Sequence, residues 1–268
     1  MKKKILITGA NGLIGRELVN QLLTNKKNLL TLILRKKKIF KNSNNLKIIV
    51  EKNLSTKSKN WWEKKIGTQD FVYHLAWSVK EKNYLENQKN IECLNMSLNI
   101  ALASKNKVKN FISLGTCLEY KKKNQVLSTS SSVEPENLYA SCKLSTFFIL
   151  NSILTKSKTK FKWLRVFYIY SENDHKKKLV PTLIEKLKNN KKVLIKNPYV
   201  VRDYINLDNA VKKILSSHKK KSTIQNICSS RGTSLLKLAK NIEKKLNKKN
   251  LIFFSKKKKT VDSIVGRN

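Results

Sequence analysis

The residues best placed to do chemistry are Tyr139 and Lys143, in Tyr139-Ala140-Ser141-Cys142-Lys143. A spacing of four on a helix puts both side chains on one face. An ammonium beside a phenol favours phenolate, so the pair reads as a general acid/base with a lowered Tyr pKa. Such a group gives or takes a proton at a substrate oxygen. Y-x-x-x-K alone is a weak signal, because a core tyrosine and a solvated lysine produce it often.

A second constellation supplies the context. The chain has seven glycines, and three of them, Gly9, Gly12 and Gly15, fall in Thr8-Gly9-Ala10-Asn11-Gly12-Leu13-Ile14-Gly15, directly after the apolar run Ile5-Leu6-Ile7. The first glycine permits a tight turn. The second lets backbone approach a pyrophosphate, and the third lets helix and strand pack closely. A helix over 13–23 then aims free N–H groups and its positive end at phosphates. The spacing is G-x-x-G-x-x-G, a variant of the dinucleotide fingerprint. The cradle is therefore expected to hold NAD or NADP through Gly9, Asn11, Gly12, Leu13, Ile14 and Gly15. NAD enzymes carry an acid about twenty residues past the glycines. Arg35 stands there, and a cation suits a 2′-phosphate, so the expectation favours NADP over NAD.

The elements that must position these groups alternate. Short apolar runs at 4–8, 29–34, 46–50, 71–75, 110–114, 162–168 and 224–227 read as strands. Stretches at 13–23, within 84–104, and at 138–154, 180–189, 207–216 and 234–246 read as helices. This order predicts an α/β protein with a doubly wound parallel sheet. Residues 121–132 read as a loop.

Composition bounds the partners. The formal charge is +41, but 52 of the 58 basic residues are Lys and six are Arg. Asn is abundant at 30, while Gly, Ala, Arg and Pro are scarce, which is what A/T-rich codons produce. Base readout leans on Arg forks, and the lysines run along the whole chain, so no specific nucleic-acid partner is expected. Cysteines 93, 117, 142 and 228 show no metal-like spacing and fit a reduced, cytoplasmic chain with no metal. The apolar stretch after Met1-Lys2-Lys3-Lys4 breaks at Thr8-Gly9, too short for a signal segment, and no run is long enough to span a bilayer.

These blocks resemble the extended short-chain dehydrogenases/reductases, the NAD-dependent epimerase/dehydratase family, from residue 4 to about 246. The resemblance implies a Rossmann domain over 1–168, rejoined by 203–227. A smaller C-terminal substrate-binding lobe follows over 169–202 and 228–268, where the chain is either naturally short or truncated. In Asn110-Phe111-Ile112-Ser113-Leu114-Gly115-Thr116-Cys117-Leu118-Glu119-Tyr120, the family's catalytic hydroxyl precedes the aromatic by four, which selects Thr116 over Ser113 and completes a triad with Tyr139 and Lys143. Lys121 departs from the usual Gly. Asp70-Phe71-Val72-Tyr73-His74-Leu75-Ala76-Trp77 resembles the fourth strand, with Leu75, Ala76 and Trp77 lining the cofactor and His74 structural. Asn53 and Leu54 fall where relatives touch adenine. Asn95 matches an Asn supporting the active site. In Arg202-Asp203-Tyr204-Ile205, Arg202 would bind the substrate's diphosphate, or else pair with Asp203 or Asp208.

The look is closest to reductases of 4-keto-6-deoxy nucleotide sugars used in surface polysaccharides. A 4-epimerase with tightly bound NAD is the alternative, and a noncatalytic or polyanion-binding relative is a third. Dehydratases usually carry Asp-Glu after the catalytic Thr, where this chain has Cys117-Leu118. The resemblance also implies a homodimer through helices around 91–103 and 144–154.

Overall fold

Strand β1 (Lys3–Thr8) turns through the glycines into helix α1 (Leu13–Leu23), and the alternation then continues in a computed structural model of the chain. Residues 2–36, 40, 44–79, 83–121, 125–172, 178–255 and 262–267 are described. Next come β2 (Asn28–Leu34), β3 (Leu46–Val50), α2 (Lys59–Ile66), β4 (Gln69–His74), α3 (Lys89–Ser104), β5 (Val108–Thr116), β6 (Val126–Leu127) and α4 (Leu138–Leu154). The chain goes on through β7 (Lys160–Val166), β8 (Tyr168–Tyr170), α5 (Leu179–Lys188), β9 (Val193–Ile195), β10 (Val201–Asn206), α6 (Leu207–Ser216) and β11 (Ile224–Ile227). It ends with β12 (Gly232–Ser234), α7 (Leu235–Lys245), β13 (Ile252–Phe254) and β14 (Ser263–Gly266).

Seven strands form one sheet in the order β11-β7-β5-β4-β1-β2-β3. Strand β1 pairs in parallel with both β2 and β4, so the strand order reverses beside it. That reversal opens a crevice at the carboxyl ends of the strands, where such sheets bind ligands. The sheet is doubly wound and Rossmann-like, as the alternation predicts. Its strands are near-continuously apolar because both faces are covered. Leu6, Ile33, Val72, Phe111 and Trp163 pack with Ile100 of α3, and with Phe147 and Leu150 of α4.

Helix α2 carries only a short apolar signal, with Trp62 and Ile66 buried one turn apart. Ser58 caps it by accepting the N–H of Trp61. Its eight residues offer too little periodicity to mark a helix in the sequence.

The chain divides into two compact units. The first comprises Met1–Glu119, Val133–Arg165 and Val211–Gln225. The second comprises Tyr120–Ser132, Val166–Ala210 and Asn226–Asn268. In the second, β12-β10-β14-β6 form a sheet, β8 pairs with β10, and β13 pairs with β9. Part of the expected loop over 121–132 is thus strand β6. The second unit has its own small core of Leu183, Leu187, Val193, Ile195 and Ala239.

Candidate active site

The glycine turn is built so that side chains cannot enter it. Gly9 has φ +75°, and a Cβ there would stand 2.6 Å from the backbone nitrogen of Ala76. A Cβ on Gly15 would stand 2.3 Å from the carbonyl oxygen of Gly9. The turn closes with Gly12 N–H donating to Gly9 O at 2.9 Å. Gly12 begins α1 in an extended conformation with no side-chain cap, which leaves first-turn N–H groups for a ligand. Asn11 donates through Nδ2 to Lys36 O at 3.0 Å, while its buried Oδ1 has no partner. An uncapped helix start, a glycine cradle and an orphaned acceptor fit a dinucleotide.

The other expected cofactor residues are placed unevenly. Leu13 and Ile14 open α1, half-buried. Leu75 and Ala76 lie against the turn, with Leu75 N–H donating to Thr8 O at 3.2 Å. Leu54 is buried, whereas Asn53 and Arg35 are exposed, Arg35 just past the end of β2. Lys37, its neighbour in the basic run, lies outside the described residues.

His74 ties this cradle together. Its Nδ1 is 2.8 Å from Thr8 Oγ1 and its Nε2 is 2.8 Å from Ser97 Oγ. Ser97 donates to Cys93 O at 2.7 Å, so Nε2 carries the ring proton and Nδ1 accepts from Thr8. Thr8 Oγ1 in turn receives the N–H of Ala76 at 3.4 Å. Burial, and then the charge of Lys143, push the imidazole down to about 3. His74 is therefore neutral at ordinary pH and joins β1, β4 and α3, in keeping with a structural part.

The three catalytic candidates converge within the first unit. Strand β5 delivers Thr116, buried, and α4 delivers Tyr139 and Lys143. Asn137 caps α4, its side chain accepting Ala140 N–H at 2.9 Å, which fixes the first turn that carries Tyr139. The Thr116 side chain lies near enough to the Tyr139 phenol to favour its ionised form. Lys143 Nζ donates to Leu114 O at 2.7 Å. The Tyr139 ring packs edge-on against Tyr84, centroids 5.3 Å apart, and against Trp77 at 6.3 Å.

The electrostatics differ from the expectation that Lys143 lowers the Tyr139 pKa. Burial raises the phenol well above its usual range, with Tyr84 adding to the rise and the nearby Thr116 side chain opposing it. Burial likewise pushes Lys143 down to about 7. The reason is geometric. The ammonium is engaged by a carbonyl and lies over the Trp77 ring, 6.0 Å from the centre of the Tyr139 ring. Tyr139 is a protonated phenol in this setting.

Two expectations shift. Asn95 is exposed on α3 and is not brought to the triad. Asn90 is buried there instead, accepting Trp77 Nε1–H at 2.8 Å and donating to Tyr84 O and Asn87 O. Five residues along a helix turn the side chain about 140°, which explains why one faces in and the other out. Arg202, in the second unit, pairs with neither Asp203 nor Asp208. Its Nη2 meets Asp262 Oδ2 at 2.5 Å and its guanidinium lies over Tyr168. Asp203 is fully buried, accepting the N–H groups of Ser229, Ser230 and Gly266.

A further buried group supports Thr116. Glu119, buried in the turn after β5, accepts Thr116 N–H at 2.8 Å and the indole N–H of Trp163. Arg165 Nε also donates to it, at 2.7 Å. Burial raises its carboxyl pKa while Arg165 and these donors oppose the rise. A Cβ on Gly115 would stand 2.4 Å from the same carboxylate. The available signal was the pairing of two scarce residue types, an acid and an arginine, inside apolar strand motifs.

All four cysteines are buried and none is in a disulfide. Among the described residues, no His/Cys/Asp/Glu cluster could hold a metal, and no helix is long and apolar enough to cross a membrane.

A doubly wound sheet with a glycine cradle at its reversal point and a Thr-Tyr-Lys group beside it defines a Rossmann-like dinucleotide-binding fold. Residues 5–228 match the NAD dependent epimerase/dehydratase family, and the chain belongs to it. No curated protein matches the chain. Among solved structures, it is similar to UDP-N-acetylglucosamine 4-epimerase from Methanobrevibacter ruminantium M1 in complex with UDP-N-acetylmuramic acid. That match has a TM-score of 0.83 and 24% identity, over 100% of this chain and 90% of that one. UDP-glucuronic acid 4-epimerase from Bacillus cereus, in complex with UDP-glucuronic acid and NAD, matches at TM-score 0.79 and 21% identity, over 98% and 90%. DesIV, a dTDP-glucose 4,6-dehydratase from Streptomyces venezuelae with NAD and TYD bound, matches at 0.81 and 14%, over 99% and 88%. At these identities the likeness shows the fold.

Proposed function

We propose that this chain is an oxidoreductase acting at C4 of a nucleoside-diphosphate sugar, reducing a 4-keto-6-deoxy sugar, with Tyr139 as the proton donor. The observation that carries the reading is the convergence of Thr116, at the carboxyl end of β5, with Tyr139 and Lys143 of α4. A bound nicotinamide supplies hydride chemistry. Gly9, Gly12, Gly15 and Asn11 would hold its dinucleotide. Tyr139 donates its proton to the sugar oxygen as negative charge builds there. Thr116 orients that oxygen and shares the hydrogen bond. Lys143 contributes its positive charge beneath the pair. Arg202 would exchange Asp262 for the substrate's diphosphate, a geometry its fork suits.

The alternative is a 4-epimerase, which the named activities of two similar structures favour. That reaction begins by removing a hydroxyl proton, so Tyr139 would act first as the base. The family description names NAD; selectivity for NADP rests on Arg35 alone. The chain is also proposed to dimerise through α3 and α4, on which Ile91, Leu102, Phe148 and Ile149 are exposed. Light scattering that finds a monomer at working concentration refutes the dimer.

Incubation with a panel of 4-keto sugar nucleotides and NADH or NADPH tests the reading. Cofactor oxidation supports the reductase. Interconversion of 4-hydroxy sugars, with dinucleotide retained through purification, selects the epimerase. No oxidation and no interconversion across the panel overturns both.

A further inference from the structure

We infer that Trp77 is a positioning residue for Lys143: the face of its indole holds the ammonium beneath the Thr116–Tyr139 pair and favours its charged form. The inference deepens the proposed function and rests on the reading of Lys143 as part of the catalytic group.

Lys143 is 5% exposed, and among the described residues no carboxylate lies within ion-pair distance of Nζ. An ammonium has three protons to place. One goes to Leu114 O at 2.7 Å. The Trp77 ring is a second close neighbour, its centroid 3.7 Å from Nζ. Indole is the best aromatic partner for a cation, and the attraction grows when the pair is removed from water.

The ring is held for this task. Its Nε1–H donates to Asn90 Oδ1 at 2.8 Å, and Asn90, 1% exposed, is itself fixed by bonds to Tyr84 O and Asn87 O. A chain of contacts thus runs from α3 through the indole to the ammonium, and on to β5.

The other groups facing Lys143 are Cys93 from α3, Glu119 from the turn after β5, His74 from β4 and Tyr139 on α4. Cys93 and Glu119 favour the ammonium weakly against burial, which brings Lys143 down to about 7. The Cys93 thiol is pushed up by its own burial and His74 is neutral. Glu119 is engaged by Arg165. With the midpoint so near neutrality, a modest ring contribution decides what fraction of Lys143 is charged.

The test is an NMR titration of lysine side-chain nitrogens in the whole protein, from about pH 5.5 to 10. The Lys143 resonance is the one missing from Lys143→Met. Trp77→Leu and Trp77→Phe both lose the bond to Asn90, so the difference between them reports the ring face. We expect Trp77→Leu to lower the Lys143 midpoint by about one pH unit, about 1.4 kcal/mol, and Trp77→Phe by clearly less. A Trp77→Leu midpoint at or above the wild-type value, or equal falls in both variants, overturns the inference. Should Trp77→Leu not fold, Trp77→Phe decides alone, and a midpoint at or above wild type overturns it. The titration needs no substrate or dinucleotide. A failure of the proposed function would appear as absent NAD binding and turnover with the Trp77 dependence intact.

Discussion

Arg165 Nε and Glu119 Oε2 lie 2.7 Å apart with both side chains out of water, and the other carboxylate oxygen receives the backbone N–H of Thr116. The ion pair is thereby wired to the backbone of a catalytic candidate. Removing one partner of a buried pair leaves the other as an uncompensated charge. Glu119→Ala should therefore destabilise the fold by about 3–5 kcal/mol in urea unfolding. A loss under about 1 kcal/mol would show that the pair is dispensable.

Gly15→Ala puts a methyl group 2.3 Å from Gly9 O, with backbone rather than a flexible side chain in the way. The turn must shift. Overpacking of this kind costs about 1–3 kcal/mol, and titration calorimetry should find NAD binding at least about tenfold weaker. Unaltered affinity would move the dinucleotide away from the glycine turn.

Tyr139→Phe removes one hydroxyl and keeps the ring between Trp77 and Tyr84. Turnover on whichever sugar nucleotide the panel identifies should fall about 10²–10⁴-fold. Dinucleotide affinity, followed by NADH fluorescence, should stay near the wild-type value. An unchanged rate takes Tyr139 out of the mechanism.

His74 makes stability depend on acid. Its folded pKa of about 3 lies below the ordinary imidazole value of 6.5, so between these values the unfolded chain binds a proton that the folded chain refuses. Stability must fall as pH drops from 6.5 toward about 3. Carboxylates titrate there too, so the variant His74→Gln provides the difference. It should be less stable than wild type at pH 7 by about 1–3 kcal/mol, through lost bonds to Thr8 and Ser97. The gap should narrow on acidification. Parallel stability curves for the two proteins would assign the acid sensitivity elsewhere.

What the sequence by itself determined were the features carried by local spacing. The glycines at 9, 12 and 15, the Tyr139–Lys143 interval and the strand–helix alternation each act within a few residues. Steric demand and helical periodicity suffice to read them, and motif order then marked Thr116. Tertiary structure decided what depends on partners far along the chain. It chose Asn90 over Asn95, because the face of α3 that points inward is set by packing. It seated Glu119 on Arg165, 46 residues away, a pairing no local pattern encodes. It also reversed the expected effect on Tyr139. Desolvation depends on what surrounds a group, and spacing alone could not reveal that the Lys143 ammonium rests against an indole instead of the phenol.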